Sequence, residues 1–131
     1  MLKTVSLFPS NNFSKEMVIE ALDKTGAEST SNYWIVSFPP GRYVRFYISE
    51  INDSDFEPKQ LDSISKKLGG LNKFYLWIEF SSAEKQGRLG ASLIEHLLDV
   101  IEGGLVVDES GKIYDSEKIR DLVMNGKGFY E

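Results

Sequence analysis

The closing half of the chain constrains its fold more than any other stretch. An amphipathic helix ends on Gly103-Gly104 and feeds the apolar run Leu105-Val106-Val107. The chain turns at Asp108-Glu109-Ser110-Gly111 and returns through Ile113-Tyr114 into a last short helix around Ile119, Leu122 and Val123. Glycine stops a helix because it enters the left-handed region without a Cβ clash. A helix, a tight hairpin and a second helix in that order predict an α+β architecture.

The earlier elements have equally marked boundaries. Val5 to Phe8 reads as a strand, and Ser14 as the N-cap of a helix bearing Met17, Val18, Ala21 and Leu22 on one stripe, with Gly26 as its stop. Tyr33 to Phe38 and Arg42 to Ile51 are rich in aromatic and β-branched residues and flank the turn Pro39-Pro40-Gly41, which predicts a hairpin. Asn52 to Glu57 is an acidic loop; Pro58 then suits the first turn of a helix with Leu61, Ile64 and Leu68 on one face. Lys73 to Phe80 alternates Phe74, Leu76, Ile78 and Phe80 against Tyr75, Trp77 and Glu79. Ser81 and Glu84 fit an S-x-x-E capping box, predicting a helix from Ser82 to Glu102. The first six elements read β-α-β-β-α-β, so the expected fold is a ferredoxin-like antiparallel sheet with a C-terminal α-β-β-α extension. The pattern leaves open whether Phe129-Tyr130-Glu131 is frayed or docked.

The 131 residues fit one domain, and 41% hydrophobic with 27% charged residues is an ordinary globular balance. There is no cysteine, which removes disulfides, thiolate metal sites and a cysteine nucleophile. With no apolar run of signal-peptide or membrane-spanning length, the expected location is the cytoplasm. The net charge of −5 argues against nucleic acid or anionic lipid as a nonspecific partner. Its distribution is uneven. Windows 50–62 and 95–117 hold twelve of the twenty acids but two of the fifteen lysines and arginines. Carboxylates gather at turns for conformational reasons, yet Asp53, Asp55, Glu57, Asp99, Glu102, Asp108 and Glu109 could also form a docking surface for a basic partner.

Catalytic chemistry finds little to work with. His96 is the only histidine; Ser92, His96 and Asp99 at i, i+4 and i+7 mimic a triad, but lie on one helix without an oxyanion site. A calcium loop begun at Asp53 would need Gly and Glu where Pro58 and Ile64 stand. Gly87-Arg88-Leu89-Gly90 falls inside a predicted helix, not a phosphate-binding loop. No catalytic residue, metal or cofactor is therefore expected. A small-molecule or regulatory ligand domain is an alternative by fold analogy.

Tyr43, Arg45 and Tyr47 on one strand, with Tyr75 and Trp77 on the next, form a sheet face that resembles the stacking surface of RNA recognition motifs. It departs from them in lacking their glycine pattern, and the chain is acidic. Gly90, central in the apolar arc of the helix predicted from Ser82, implies close approach to a sheet. The expectation is that this helix covers the aromatic face.

Leu93-Ile94-Glu95-His96-Leu97-Leu98-Asp99, followed by Gly103-Gly104-Leu105-Val106-Val107-Asp108, Gly111-Lys112-Ile113-Tyr114 and Ser116-Glu117, is similar to the C-terminal helix–hairpin–helix of small bacterial immunity proteins of polymorphic and contact-dependent toxin systems. The resemblance covers the C-terminal third and carries no transferable binding residues. It implies a non-enzymatic cytoplasmic protein that neutralises a cognate toxin, and a basic toxin such as a nuclease would suit the acidic surface.

Overall fold

The computed structural model describes residues 3–52, 56–101 and 103–131. The elements in chain order are β1 (Lys3–Phe8), α1 (Lys15–Lys24), β2 (Glu28–Ser29), β3 (Trp34–Phe38), β4 (Arg42–Glu50), α2 (Pro58–Leu68), β5 (Phe74–Phe80), α3 (Arg88–Val100), β6 (Leu105–Asp108), β7 (Ile113–Tyr114) and α4 (Ser116–Met124). The strands form one antiparallel sheet in the order β2-β3-β4-β5-β1-β6-β7. The α+β class and the final helix–hairpin–helix are as the sequence predicts.

The strand order differs from the ferredoxin-like one. That arrangement would set β1 between β4 and β5; here β4 and β5 pair directly, from Val44 opposite Phe80 to Glu50 opposite Phe74, and β1 flanks β5 on its other side. The bond from Ile51 N–H to Lys73 O, 3.0 Å, continues the ladder past both strand ends. α2 is thus an excursion within a long β4–β5 hairpin rather than a crossover. The pairing is chemically matched on both faces. Val44–Phe80, Phe46–Ile78 and Ile48–Leu76 point one way, while Tyr47–Trp77 and Arg45–Glu79 point the other.

The helices divide between the two faces of the sheet. α1, α3 and α4 bury Val18, Leu22, Ile94, Leu97, Leu98 and Ile119 against Val5, Leu7, Val44, Phe46, Leu76, Ile78 and Phe80 in the larger core. On the opposite face α2 lays Leu61, Ile64 and Leu68 over Phe8, Tyr75, Leu105 and Val107. That second core spans the β1–β6 side of the sheet and leaves the β3–β4 side of the same face without a helix.

Local signals explain most of the boundaries. Ser14 Oγ accepts from Met17 N–H at 3.2 Å, and Asp115 caps α4 through Lys118 N–H at 2.8 Å. Pro58 opens α2, and Gly69 closes it at φ 74°. The capping box is where reading and structure part. α3 begins at Arg88, not Ser82. Ser81 is engaged across the sheet, donating its N–H to Tyr43 O and accepting from Tyr43 N–H at Oγ, both at 3.0 Å. The Glu84 carboxylate instead accepts the N–H of Gly90, in the first turn of α3, at 2.9 Å. Capping by this glutamate survives, but in another register, because Ser81 is claimed by a strand. The Phe129–Glu131 segment is docked: Tyr130 OH donates to Thr4 O at 2.6 Å, and Glu131 pairs with Arg88.

Gly90 does mark a close approach, but to the face opposite the one expected. A Cβ there would overlap Phe80 Cε1 and lie 2.6 Å from Cζ. Alanine gains about 1 kcal/mol of helix propensity, yet such overpacking costs ~1–3 kcal/mol. Gly90→Ala should therefore lower stability in urea denaturation, and Gly90→Ala with Phe80→Leu should recover part of the loss. A stabilised single variant would contradict this packing.

Candidate functional site

The half of the sheet face that α2 leaves bare carries a row of rings. Tyr33, Tyr47 and Trp77 follow one another with centroids 5.5 Å apart at each step, tilted by 49° and 39°. Tyr47 and Trp77 are directly opposed across β4 and β5, so their side chains share a face by register. Arg45 lies in the same field. Its guanidinium stands 4.9 Å from the Tyr33 ring centroid and 4.5 Å from that of Tyr43, and pairs with Glu79 at 3.5 Å. Desolvation opposes its charge, but the hydrogen bond with Tyr47 and the nearby Tyr43 and Tyr33 hold its pKa above the ordinary value. Trp77 is 40% exposed and Tyr33, Tyr43 and Tyr47 are half-buried.

This corrects the expectation that the helix after β5 covers the aromatic face. α3 packs on the other side of the sheet, on Phe80, because Gly90 faces the alternate set of β5 side chains. Of the five residues read as one surface, only Tyr75 is covered. It stacks on Phe8 at 5.5 Å and meets Phe56 edge-on at 5.1 Å, beneath α2.

Beside the rings the face dips into an open groove of about 690 Å³, lined by Ser6, Phe56, Glu57, Gln60, Val107, Asp108 and Glu109 among others. Ser6 pairs with Trp77 in the β1–β5 register, so the rings and the groove share an edge. Here acids from the two windows, about fifty residues apart in sequence, line one groove. Glu57 is exposed at the start of α2 and makes no side-chain capping bond. Asp108 and Glu109 come from the β6–β7 turn, where each also serves the fold. Asp108 Oδ1 accepts from Ser110 N–H, Ser110 Oγ–H and Lys112 N–H at 2.9, 2.6 and 3.0 Å, and Oδ2 accepts from Tyr114 OH at 2.9 Å. Glu109 Oε1 accepts from Thr4 N–H at 2.7 Å. Lys59 also lines the groove.

Of the remaining predicted acids, the one that is described does not join this cluster. Asp99 is exposed on α3, 3.7 Å from Arg120, on the helical side of the molecule. Asp53, Asp55 and Glu102 lie outside the described residues. His96 and Ser92 are exposed on α3 near Asp99. Sequence reasoning missed Tyr33, Ser6 and Phe56 as parts of this surface, since each joins it only through strand pairing or helix docking.

Comparison with known protein families, curated proteins and solved structures gives no match to this chain. No helix among the described residues is long and apolar enough to cross a membrane.

Two outcomes follow from this geometry. Trp77→Ala should cost only about 1–2 kcal/mol, since the ring is partly in water already. A urea-denaturation loss of ~3–5 kcal/mol, typical of a packed ring, would mean that this face is covered. The Tyr114 phenol is pushed from 10.0 up to about 12, first by burial and then by its bond to Asp108. A raised folded-state pKa contributes stability that is complete below the unfolded value and lost as pH climbs through the folded one. The urea midpoint should therefore fall between pH 10 and about 12, and Asp108→Asn should move the phenolate absorbance titration part of the way back. A flat midpoint across that window would contradict the assignment.

Proposed function

We propose that this chain is an immunity-type protein: a non-catalytic cytoplasmic binder that neutralises a cognate, basic bacterial toxin. The observation that carries the reading is the meeting of Glu57 with Glu109 in one open groove beside the exposed Trp77 and its half-buried neighbours Tyr47 and Arg45. Rim carboxylates accelerate encounter with a basic partner, and tyrosine, tryptophan and arginine are the residue types that most often dominate binding energy. The resemblance of residues 93–117 to immunity proteins supports the same class. Among the described acids of the two windows, Glu57 and Glu109 line one groove and support this reading. Asp99 points elsewhere.

A regulatory small-molecule role draws less support, because the groove is open and holds water-accessible carboxylates rather than an enclosed apolar pocket. Single-stranded nucleic acid is favoured by one observation, the exposed Trp77 beside Tyr47. Against it, the cation seated among the rings, Arg45, is already committed to Glu79.

The test is protection. A toxin domain encoded beside this chain should stop growth of a host when produced alone and cease to do so when the chain is co-produced, with a dissociation constant below about 1 μM for the purified pair. Glu57→Lys should slow association at low salt and flatten its salt dependence, with little change in stability. Undiminished toxicity with no complex, or turnover of nucleic acid, nucleotide, ester or glycoside by the chain itself, would overturn the proposal.

A further inference from the structure

The ring row and the acidic groove are contiguous, and their chemistry defines what fits across both. We infer that this surface takes an extended, arginine-bearing segment of a protein partner: one guanidinium lies on Trp77 and Tyr47, and a second cation enters the groove at Glu57. The inference rests on the reading of the chain as a protein-binding module and deepens it by naming what is bound.

Three observations point to a guanidinium. First, the face already holds one. Arg45 sits between the Tyr33 and Tyr43 rings at 4.9 and 4.5 Å, so this ring spacing accommodates the planar cation. Second, Trp77, the most exposed ring of the row, carries no cation over it among the described residues. Tryptophan is the strongest of the three ring types for this contact. Third, the charge of Arg45 is balanced by Glu79, which leaves the groove to set the sign of the surface. There Glu57 and Glu109 line the groove with Lys59, an excess of negative charge, while the Asp108 carboxylate is turned to Tyr114 on the opposite face. The same balance disfavours nucleic acid, whose phosphates would meet these carboxylates.

The spacing favours an extended chain. From Trp77 on β5 the surface crosses Ser6 on β1 and reaches β6 beneath the groove, two strand spacings or about 10 Å. Three residues of extended chain cover that distance. Side chains on one face of an extended chain recur at every second residue, so arginines two or four positions apart bracket that distance.

The experiment is amide and indole NMR on the unmodified chain, titrated with three probes: a blocked peptide alternating arginine with threonine, the same peptide with glutamine for arginine, and an oligouridylate at physiological salt. The expected result is saturable shifts of the Trp77 indole and of the amides of Tyr47 and Glu57 with the arginine peptide only. Trp77→Ala and Glu57→Gln should each weaken that binding, Trp77→Ala by about tenfold. No saturable shift with the arginine peptide, or shifts confined to the α1, α3 and α4 side, would overturn the inference. So would tighter binding of the oligouridylate at the same rings. Failure of the wider reading looks different. Arginine-peptide binding at these residues without protection from any toxin supports this inference and removes the immunity role. Protection and toxin affinity unchanged in Trp77→Ala keep the role and overturn the inference.

Discussion

The direct pairing of β4 with β5 is the constraint on which the remaining architecture depends. With β4 on one side of β5 and β1 on the other, β5 is central, and Leu76, Ile78 and Phe80 are enclosed by α1, α3 and α4. The same pairing turns α2 from a crossover into an excursion, free to pack on whichever face offers it apolar surface. Phe8, Tyr75, Leu105 and Val107 offer it on the far side. A three-layer arrangement results on one half of the sheet and a two-layer one on the other. The exposed rings are a consequence of that asymmetry.

Local chemistry was legible in the sequence and nonlocal pairing was not. Ser14 and Pro58 act on their own neighbours, so composition and spacing place the helix starts they set. β2 is two polar residues, Glu28 and Ser29, and exists only because β3 is there to pair with it. The Ser81–Glu84 motif has the form of a capping box, but the hydrogen bonds of Ser81 run to Tyr43 on β4, a partner no local window contains. The strand order is likewise a matter of which matched faces meet.

Tyr75 and Trp77 show where the missing information lay. Two residues apart on β5, they point to the same side, and alternation treats them as equals. The difference comes from their neighbours: Tyr75 packs against Phe8 and Phe56, whereas Trp77 lies opposite Ser6 and Tyr47. A signal was present in the chain. Leu7-Phe8, Phe74-Tyr75-Leu76 and Leu105-Val106-Val107 are unbroken apolar runs, the mark of strand segments buried on both faces. Thr4, Ser6, Arg45 and Glu79 restore alternation toward the other half, which is where a helix is absent.

The candidate surface also divides by how firmly its parts are held, and that division bears on kinetics. The rings stand on a paired sheet, and Glu109 is fixed by its bond to Thr4. Groups already ordered before binding lose little conformational freedom on contact, so they act on the lifetime of a complex. Glu57 is exposed and bears no capping bond. A free carboxylate at the rim acts mainly on encounter, through long-range attraction that salt screens. Substitutions at Trp77 should therefore appear chiefly in dissociation rates and those at Glu57 in association rates. That separation is what an anchored aromatic surface with an acidic rim requires, and it would be absent if the two regions served unrelated roles.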